Sequence, residues 1–457
     1  MKKPRIKAID AVMGTGKSTW AIEEIKRSDQ KYIVVLPYVD EITRYAQQLE
    51  NDVNVSALDD RVYEEGTSKA QAFSDALEYS DCIIITHKLF EDHITRETLR
   101  RIEEDAWRLL IDETLGTFEE QHGLDWHDIE AFKKDGIADV QRLTQAVSRL
   151  ILNESIYDEY MTKTKVKKER KDLVRNLLHR DFLIVNTEEG KDDYYMYTLS
   201  PRLLNAFKGI TLLTYLFQGS EMDLWCQFNG YQVDHMELVR NGSGHRLQPH
   251  CGVYSGVQFN NLVEVVAPQG RGKRYGNDQF DLSNNQMKRL SKDSPELKEI
   301  KQGLRNFSIK YKFDHEGDFL FTCKKEIIEK GFLLDRQQKL YRPYVGEQNW
   351  LAFNARGLNE YKDKHYVFYG MNVFQWPRVS LTLKGLGFSD YNQDHHALSM
   401  MLQFLWRSAI RVGEKIIVAV PSRRMRELLN DWLKGQVRFT SGRQMEGDCY
   451  ASAAALT

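Results

Sequence analysis

The sequence predicts an α/β protein with mostly parallel sheets, and three observations carry that expectation. Short apolar runs that read as buried strands recur through the first hundred-odd residues, and again from Phe319 onwards. Helical patterning separates each run from the next, and such alternation argues a mostly parallel sheet with helices on both faces. A glycine-rich turn, Ala11 to Ser18, also lies where the first strand passes into the first helix.

Taken in order, Ile6-Lys7-Ala8-Ile9-Asp10 is short and mostly apolar, as a buried strand is. Ser18 to Ile25 spaces its apolar residues as a helix does. Tyr32 to Leu36 is a buried strand stopped by Pro37, Asp81 to Thr86 is another, and Leu109-Leu110-Ile111 is a third. From about 117 to 181 the pattern turns helical and polar and includes the basic run Lys163 to Lys171, which reads as a helical insertion carrying a basic patch. Ile210 to Phe217 returns to strand-like sequence. Residues 228–318 are less regular, with turns such as Asn241-Gly242-Ser243-Gly244 and Gln269-Gly270-Arg271-Gly272. A second α/β pattern runs from Phe319-Leu320-Phe321-Thr322 through Tyr366 to Tyr369 and on to Lys415 to Val420. The expected division is 1–225, an irregular connecting region at 226–318, and 319–457.

A chain of 457 residues is too long for one ordinary core, so two or three domains are expected. Apolar residues make up 42% and charged residues 28%, and no run of eighteen apolar residues exists, which argues against a membrane span. The charged start passes into a strand within a few residues, leaving no room for a signal peptide. Cys82, Cys226, Cys251, Cys323 and Cys449 are scattered and never form a C-x-x-C pair, so a reducing, cytoplasmic setting is expected. With a net charge of −2, any nucleic-acid contact must be local.

The chemistry starts at the turn. Met13, Gly14, Thr15, Gly16, Lys17, Ser18 and Thr19 form a phosphate-binding loop and first helical turn. Backbone N–H groups and the positive end of the helix dipole face a triphosphate. Lys17 is expected to reach the β- and γ-phosphates, and the Ser18 hydroxyl to ligate Mg²⁺. Gly14 and Gly16 allow close approach of the main chain. Such a loop needs an acidic partner, and Ile111-Asp112-Glu113-Thr114 supplies one at the carboxyl end of a strand, where ligands of open α/β sheets sit. Asp112 is expected to hold Mg²⁺, and Glu113 to orient and deprotonate the attacking water. Arg407 and Arg411 are four residues apart and are expected on one helix face as candidate arginine fingers.

In this order the segments resemble superfamily-two helicases and translocases, in look nearest to helicase-like proteins of bacteriophages and plasmids. Ala11 to Ser18 matches the superfamily's A-x-x-G-x-G-K-[ST] loop, and Asp112-Glu113 resembles its DExx motif. Pro37 with Arg44, and Thr86-His87-Lys88, sit where motifs Ia and Ib contact the nucleic-acid backbone. Leu213-Thr214 stands in the place of motif III, which couples ATP state to domain closure. Asn354 to Glu360, with Arg356, resembles motif V, and Gln403 to Arg411 resembles motif VI with one extra residue between its arginines. The resemblance implies two tandem RecA-like P-loop domains with a helical insertion in the first, and ATP and Mg²⁺ bound in the cleft between the domains. It also implies catalytic roles for Lys17, Glu113, Gln403, Arg407 and Arg411. Expected partners are nucleic acid, DNA ahead of RNA, and replication proteins in the host cytoplasm; no membrane is expected. No space precedes the loop for the adenine-reading glutamine motif of DEAD-box RNA helicases. The alternatives are a DNA-packaging motor ATPase and an ATP-switched loader without unwinding activity.

Several further groups invite a functional reading. Lys362 and the basic stretch Arg271 to Tyr275 would extend a phosphate track, although charge runs are more often solvated faces. His235, His245, His250 and Cys251 match no structural zinc spacing and read as turn residues and isolated histidines. Asp390, Asp394, His395 and His396 look like a helix N-terminus as much as a nuclease cluster. Trp350, Phe353 and Trp376 carry no assigned role.

Overall fold

The computed structural model describes residues 3–58, 68–121, 125–178, 180–186, 193–242, 244–268, 275–291, 293–313, 317–329, 349–354, 360–389 and 391–437. The chain divides into two compact units, 1–250 with 376–391, and 251–375 with 392–457.

The first unit is built on an eight-stranded sheet. Its strands are β1 (Ile6–Asp10), β2 (Tyr32–Leu36), β3 (Val55–Ala57), β4 (Cys82–Thr86) and β5 (Arg108–Asp112), joined by later strands from the same unit. Both β2 and β4 are buried along their whole length, which explains their near-continuous apolar sequence. Alternate side chains feed two cores, as a pleated strand requires. Ile33, Val35, Ile83, Ile85, Leu109 and Ile111 pack with Phe73 and Trp107. On the opposite face Val34, Leu36, Ile84 and Leu110 pack with Trp20, Ile25 and Tyr45.

The insertion departs from the helical expectation. It does carry the helices Trp126–Lys134, Tyr157–Thr162 and Lys168–Asn176. It also folds as a five-stranded antiparallel sheet from β6 (Phe118–Glu120), β7 (Ala138–Arg142), β8 (Val147–Leu152), β9 (Arg180–Val185) and β10 (Tyr194–Leu199), in the order β6-β10-β9-β8-β7. The reason is that edge strands such as β7, Ala138-Asp139-Val140-Gln141-Arg142, gain their stability from pairing and not from local apolar pattern. One face of this sheet covers Ile129, Phe132, Tyr160 and Val174 from its own helices. The other face packs Leu183 and Met196 against Val379 and Leu383 of the helix Pro377–Gly385, which the chain returns to this unit.

The chain then completes the large sheet with β11 (Gly209–Thr214), β12 (Val233–Asn241) and β13 (Gly244–Pro249). The order is β13-β12-β1-β11-β5-β2-β4-β3, all parallel except the edge strand β13. The second unit holds a four-stranded, all-parallel sheet of β14 (Val263–Val266), β15 (Phe319–Thr322), β16 (Tyr366–Tyr369) and β17 (Ile416–Ala419), ordered β14-β17-β16-β15. The expected class, α/β with two tandem units on mostly parallel sheets, is the one the chain adopts.

The boundaries differ from the expected three-part division. The stretch 226–318 is not an irregular connector: β12 and β13 belong to the first sheet and β14 opens the second. Its strands are only half-buried, so their sequences lack a clear apolar run. The same stretch contains the seventeen-residue helix Pro295–Tyr311, which buries Leu297, Ile300, Leu304 and Phe307. Among the described residues no helix is long and apolar enough to cross a membrane.

Candidate functional site

Parallel pairing brings the carboxyl ends of β1, β11, β5, β2 and β4 to one edge of the sheet, and most of the first unit's expected site residues collect there. The loop leaves β1 at Ala11, whose N–H donates to the Thr214 carbonyl (3.0 Å). Gly14 and Gly16 have φ of +79° and +94°, the left-handed region that favours glycine. Gly16 starts the helix Lys17–Arg27, whose N-terminus has no side-chain cap and no acidic residue in its first turn. Thr15 Oγ1 folds back onto the Val12 carbonyl (2.7 Å). Met13 is half-buried and Thr19 exposed on either side of the loop. The Lys17 ammonium donates to the carbonyls of Ala11 and Val12, so the loop grips its own lysine. Burial lowers the Lys17 pKa, and Asp112, Asp10 and Glu113 oppose that shift.

The acidic pair arrives from β5. Ser18 Oγ donates to Asp112 Oδ2 at 3.0 Å, and the Tyr45 hydroxyl donates to the same oxygen at 3.3 Å. Burial, then the Asp112 charge, raises the Tyr45 pKa well above its ordinary value, so its proton stays on as a donor. Glu113 has φ of +63°, and its N–H donates to the Leu213 carbonyl (2.9 Å). A non-glycine residue held there stores strain, as functional positions often do. Strand β11 therefore lies between β1 and β5, bonded at its end to both the loop and the acidic pair.

The oxygens of Ser18 and Asp112 fit a Mg²⁺ site. Octahedral Mg²⁺ with bonds of about 2.1 Å places neighbouring oxygen ligands about 3.0 Å apart. The uncapped helix N-terminus and two left-handed glycines fit phosphate in the same way.

A second cluster went unrecognised in the sequence. Asp10 is the last residue of β1, with its side chain fully buried. Its Oδ1 accepts from Leu216 N (2.9 Å), and its Oδ2 accepts from Phe217 N (2.7 Å) and His235 Nε2 (2.8 Å). His250 stacks on His235 with ring centroids 4.2 Å apart, and Asp10, His235 and His250 offer ligand atoms within 4.8 Å of one another. Burial drives His250 down to about 4, so it is neutral at pH 7; Asp10 opposes that shift and His235 adds to it. These histidines are not isolated turn residues: the β12–β13 pairing gathers them beside the loop, whereas Cys251 is exposed and belongs to the second unit. Only the last-in-strand position of Asp10 could have signalled the cluster.

The other expected residues sit as follows. Pro37 is half-buried after β2, and Arg44 pairs with Glu41 at 2.5 Å on the helix Val39–Leu49. Thr86 is buried and caps the helix His87–Asp92 by accepting from Leu89 N, while Lys88 is exposed. His87 Nε2 lies 2.9 Å from the Asp112 carbonyl, placing it beside the acidic pair. In the basic insertion run, Arg170 is tied to Asp128 (2.9 Å). Arg356 and the stretch 271–274 lie outside the described residues, as does Asp390.

Arg407 and Arg411 do not share a helix face. The helix Gln393–Leu405 ends there, and a separate short 3₁₀ turn spans Ala409–Val412. The Leu405 carbonyl takes the N–H and hydroxyl of Ser408 (3.0 and 2.6 Å), while Ala409 N–H turns to the Lys364 carbonyl (3.0 Å). The next helical hydrogen bond is thereby lost. Arg407 is buried and Arg411 half-buried. Gln403 is half-buried on the helix, and its Oε1 has no hydrogen-bond partner among the described residues.

Comparison with known proteins adds the following. The family model described as the YonV C-terminal Rossmann-like domain matches residues 257–433, a stretch that holds the all-parallel β14–β17 sheet. The chain is 27% identical over 448 residues to the SPbeta prophage-derived uncharacterized protein YonV of Bacillus subtilis (strain 168), covering 94% of this chain and 99% of that protein. Among solved structures, S. tokodaii Xpd4 matches at 12% identity with a TM-score of 0.43, over 94% of each chain.

Proposed function

We propose that the chain is an ATP-dependent nucleic-acid helicase or translocase, with DNA as its track. The observation that carries this reading is the 3.0 Å contact between Ser18 of the phosphate loop and Asp112 at the end of β5, beside a strained Glu113. A structural turn has no need of a hydroxyl, a lysine and two carboxylates meeting at one strand edge.

In this proposal Lys17 leaves the carbonyls of Ala11 and Val12 and pairs with the β- and γ-phosphate oxygens of ATP. Ser18 and Asp112 hold Mg²⁺, which neutralises charge on the β- and γ-phosphates when bound. Asp112 is oriented by the Tyr45 hydroxyl. Glu113 accepts the proton of the attacking water, its carboxylate aimed by the left-handed backbone. Arg407 or Arg411 is the candidate cation for the charge that develops on the transferred group. Leu213 and Thr214, bonded to Glu113 and to Ala11, would relay the state of the site along β11. Pro37 after β2, Lys88 after β4 and Arg44 on the helix that follows β2 are the candidate grips on a phosphate backbone. The prophage origin of the YonV relative supports a phage replication setting.

The test is ATP hydrolysis measured alone and with single-stranded DNA, duplex DNA and RNA. Stimulation by DNA is expected, with Lys17→Ala reduced to background. A Lys17→Ala protein that keeps nucleic-acid-stimulated hydrolysis, or a wild type indifferent to every nucleic acid, would overturn the proposal. Strand displacement on tailed duplexes separates unwinding from translocation.

A further inference from the structure

Register brings Asp10, His235 and His250 together within the first unit. Strand β12 pairs with β1 so that His235 stands beside Ala8, and Asp10, two residues further along β1, faces the same side of the sheet. Strand β13 returns antiparallel with Pro249 opposite Met236. His250 N–H then donates to the His235 carbonyl (3.0 Å), so the two imidazoles come from facing positions. The carboxylate is aimed by the chain that follows β11. Leu216, at φ of +60°, and Phe217 turn consecutive N–H groups onto its two oxygens. The Phe217 ring lies 5.9 Å from the His235 ring and walls that side with apolar surface. The distances suit a cation. Asp10 Oδ2 and His235 Nε2 are 2.8 Å apart, and octahedral bonds of about 2.1 Å set neighbouring ligands about 3.0 Å apart. All three ligand atoms lie within 4.8 Å of one another, so tetrahedral closure, at about 3.3 Å, asks His250 to move by at most about 1.5 Å.

We propose that Asp10, His235 and His250 bind a divalent first-row transition metal ion, of the Zn²⁺ or Fe²⁺ class, at a site separate from the Ser18–Asp112 pair. Two imidazoles with one carboxylate select such ions over Mg²⁺, which prefers oxygen ligands, and leave further coordination positions open. On binding, the metal takes the His235 Nε2 lone pair, so the hydrogen that bridges to Asp10 moves to Nδ1 or passes to solvent. The N–H groups of Leu216 and Phe217 stay on Asp10 as outer-shell support. The ion fastens the β12–β13 hairpin to the last residue of β1, where the glycine-rich loop begins. The same hairpin already lies against that loop: a methyl group built on Gly16 would come 2.5 Å from His245 Nε2.

The test is calorimetric titration of the untagged, metal-free full chain with Zn²⁺, and visible absorption with Co²⁺ as the coloured substitute, both in excess Mg²⁺. Binding of one ion per chain is expected, with the d–d bands of Co²⁺ held by nitrogen and oxygen. His250→Ala should weaken binding by about 10–100-fold or more, at least what loss of an outer-shell partner costs. That variant keeps the Asp10–His235 hydrogen bond, so it should melt as metal-free wild type does while losing the rise in Tm that Zn²⁺ gives wild type. Backbone amides of β12 and β13 should gain hydrogen-exchange protection with Zn²⁺ in wild type and not in His250→Ala. A wild type that binds neither Zn²⁺ nor Co²⁺, or a His250→Ala protein that binds them within twofold of wild type, overturns the inference. Either result leaves Asp10 and His235 joined by a hydrogen bond alone and does not touch the nucleotide reading.

Discussion

In the proposed function Glu113 couples backbone strain to chemistry, and two substitutions separate them. With φ of +63°, it occupies a conformation that costs a non-glycine residue about 1–2 kcal/mol. Glu113→Gln keeps the backbone, the length and the strain but removes the proton acceptor. Loss of a general base lowers turnover by about 10²–10⁴-fold, so hydrolysis should fall by that factor while ATP binding and melting stay near wild type. Glu113→Gly removes both base and strain. The relief of about 1–2 kcal/mol is offset by about 0.5–1 kcal/mol for the freer glycine in the unfolded chain. The glycine variant should therefore be equal to or up to about 1.5 kcal/mol more stable than the glutamine variant, and just as inactive. Phosphate release in the presence of DNA and urea unfolding of both variants supply the two readouts. If Glu113→Gln hydrolyses ATP at the wild-type rate, Glu113 is not the base. If the glycine variant is less stable than the glutamine variant by more than about 1 kcal/mol, the strain argument is wrong.

Two other perturbations follow from local environments. Burial pushes the Glu91 carboxyl up to about 7 despite Arg180 at 3.3 Å, and the nearby Asp92 and Glu119 charges add to the rise. A carboxyl whose folded pKa lies above its unfolded value favours the fold at low pH. That contribution fades as pH rises from about 4.5 through 7, with an upper bound of about 3 kcal/mol before the ion pair is discounted. Urea unfolding at pH 5 and pH 8 should show wild type losing stability over this window, and Glu91→Gln should flatten the loss; equal slopes would refute it. Tyr45→Phe deletes one donor to Asp112 Oδ2 without changing the packing. The Mg²⁺ concentration for half-maximal hydrolysis should rise about tenfold, as loss of an outer-shell partner does; an unchanged Mg²⁺ titration would remove Tyr45 from the site.

Local pattern was informative where local energetics decides the outcome. Strands β1, β2, β4 and β5 are buried on both faces, so their apolar runs stood out, and their parallel pairing gathered the candidate site at one edge. The Arg407–Arg411 spacing misled because a helix end is set by which carbonyl takes which N–H, here Leu405 with Ser408 and Lys364 with Ala409. The polar insertion misled because antiparallel edge strands take their stability from partners distant in sequence.

By itself the sequence determined the α/β class and marked out the glycine-rich loop and the Asp112–Glu113 pair, since each is written in contiguous residues whose spacing meets a local geometric need. Only the tertiary structure decided that Ser18 meets Asp112, and that Tyr45 and His87 flank Asp112. It also set Asp10 to gather His235 and His250, and laid His245 on Gly16. These groups come from strands and a hairpin far apart along the chain. Their meeting depends on sheet order and register, which arise from long-range pairing and leave no mark on local periodicity.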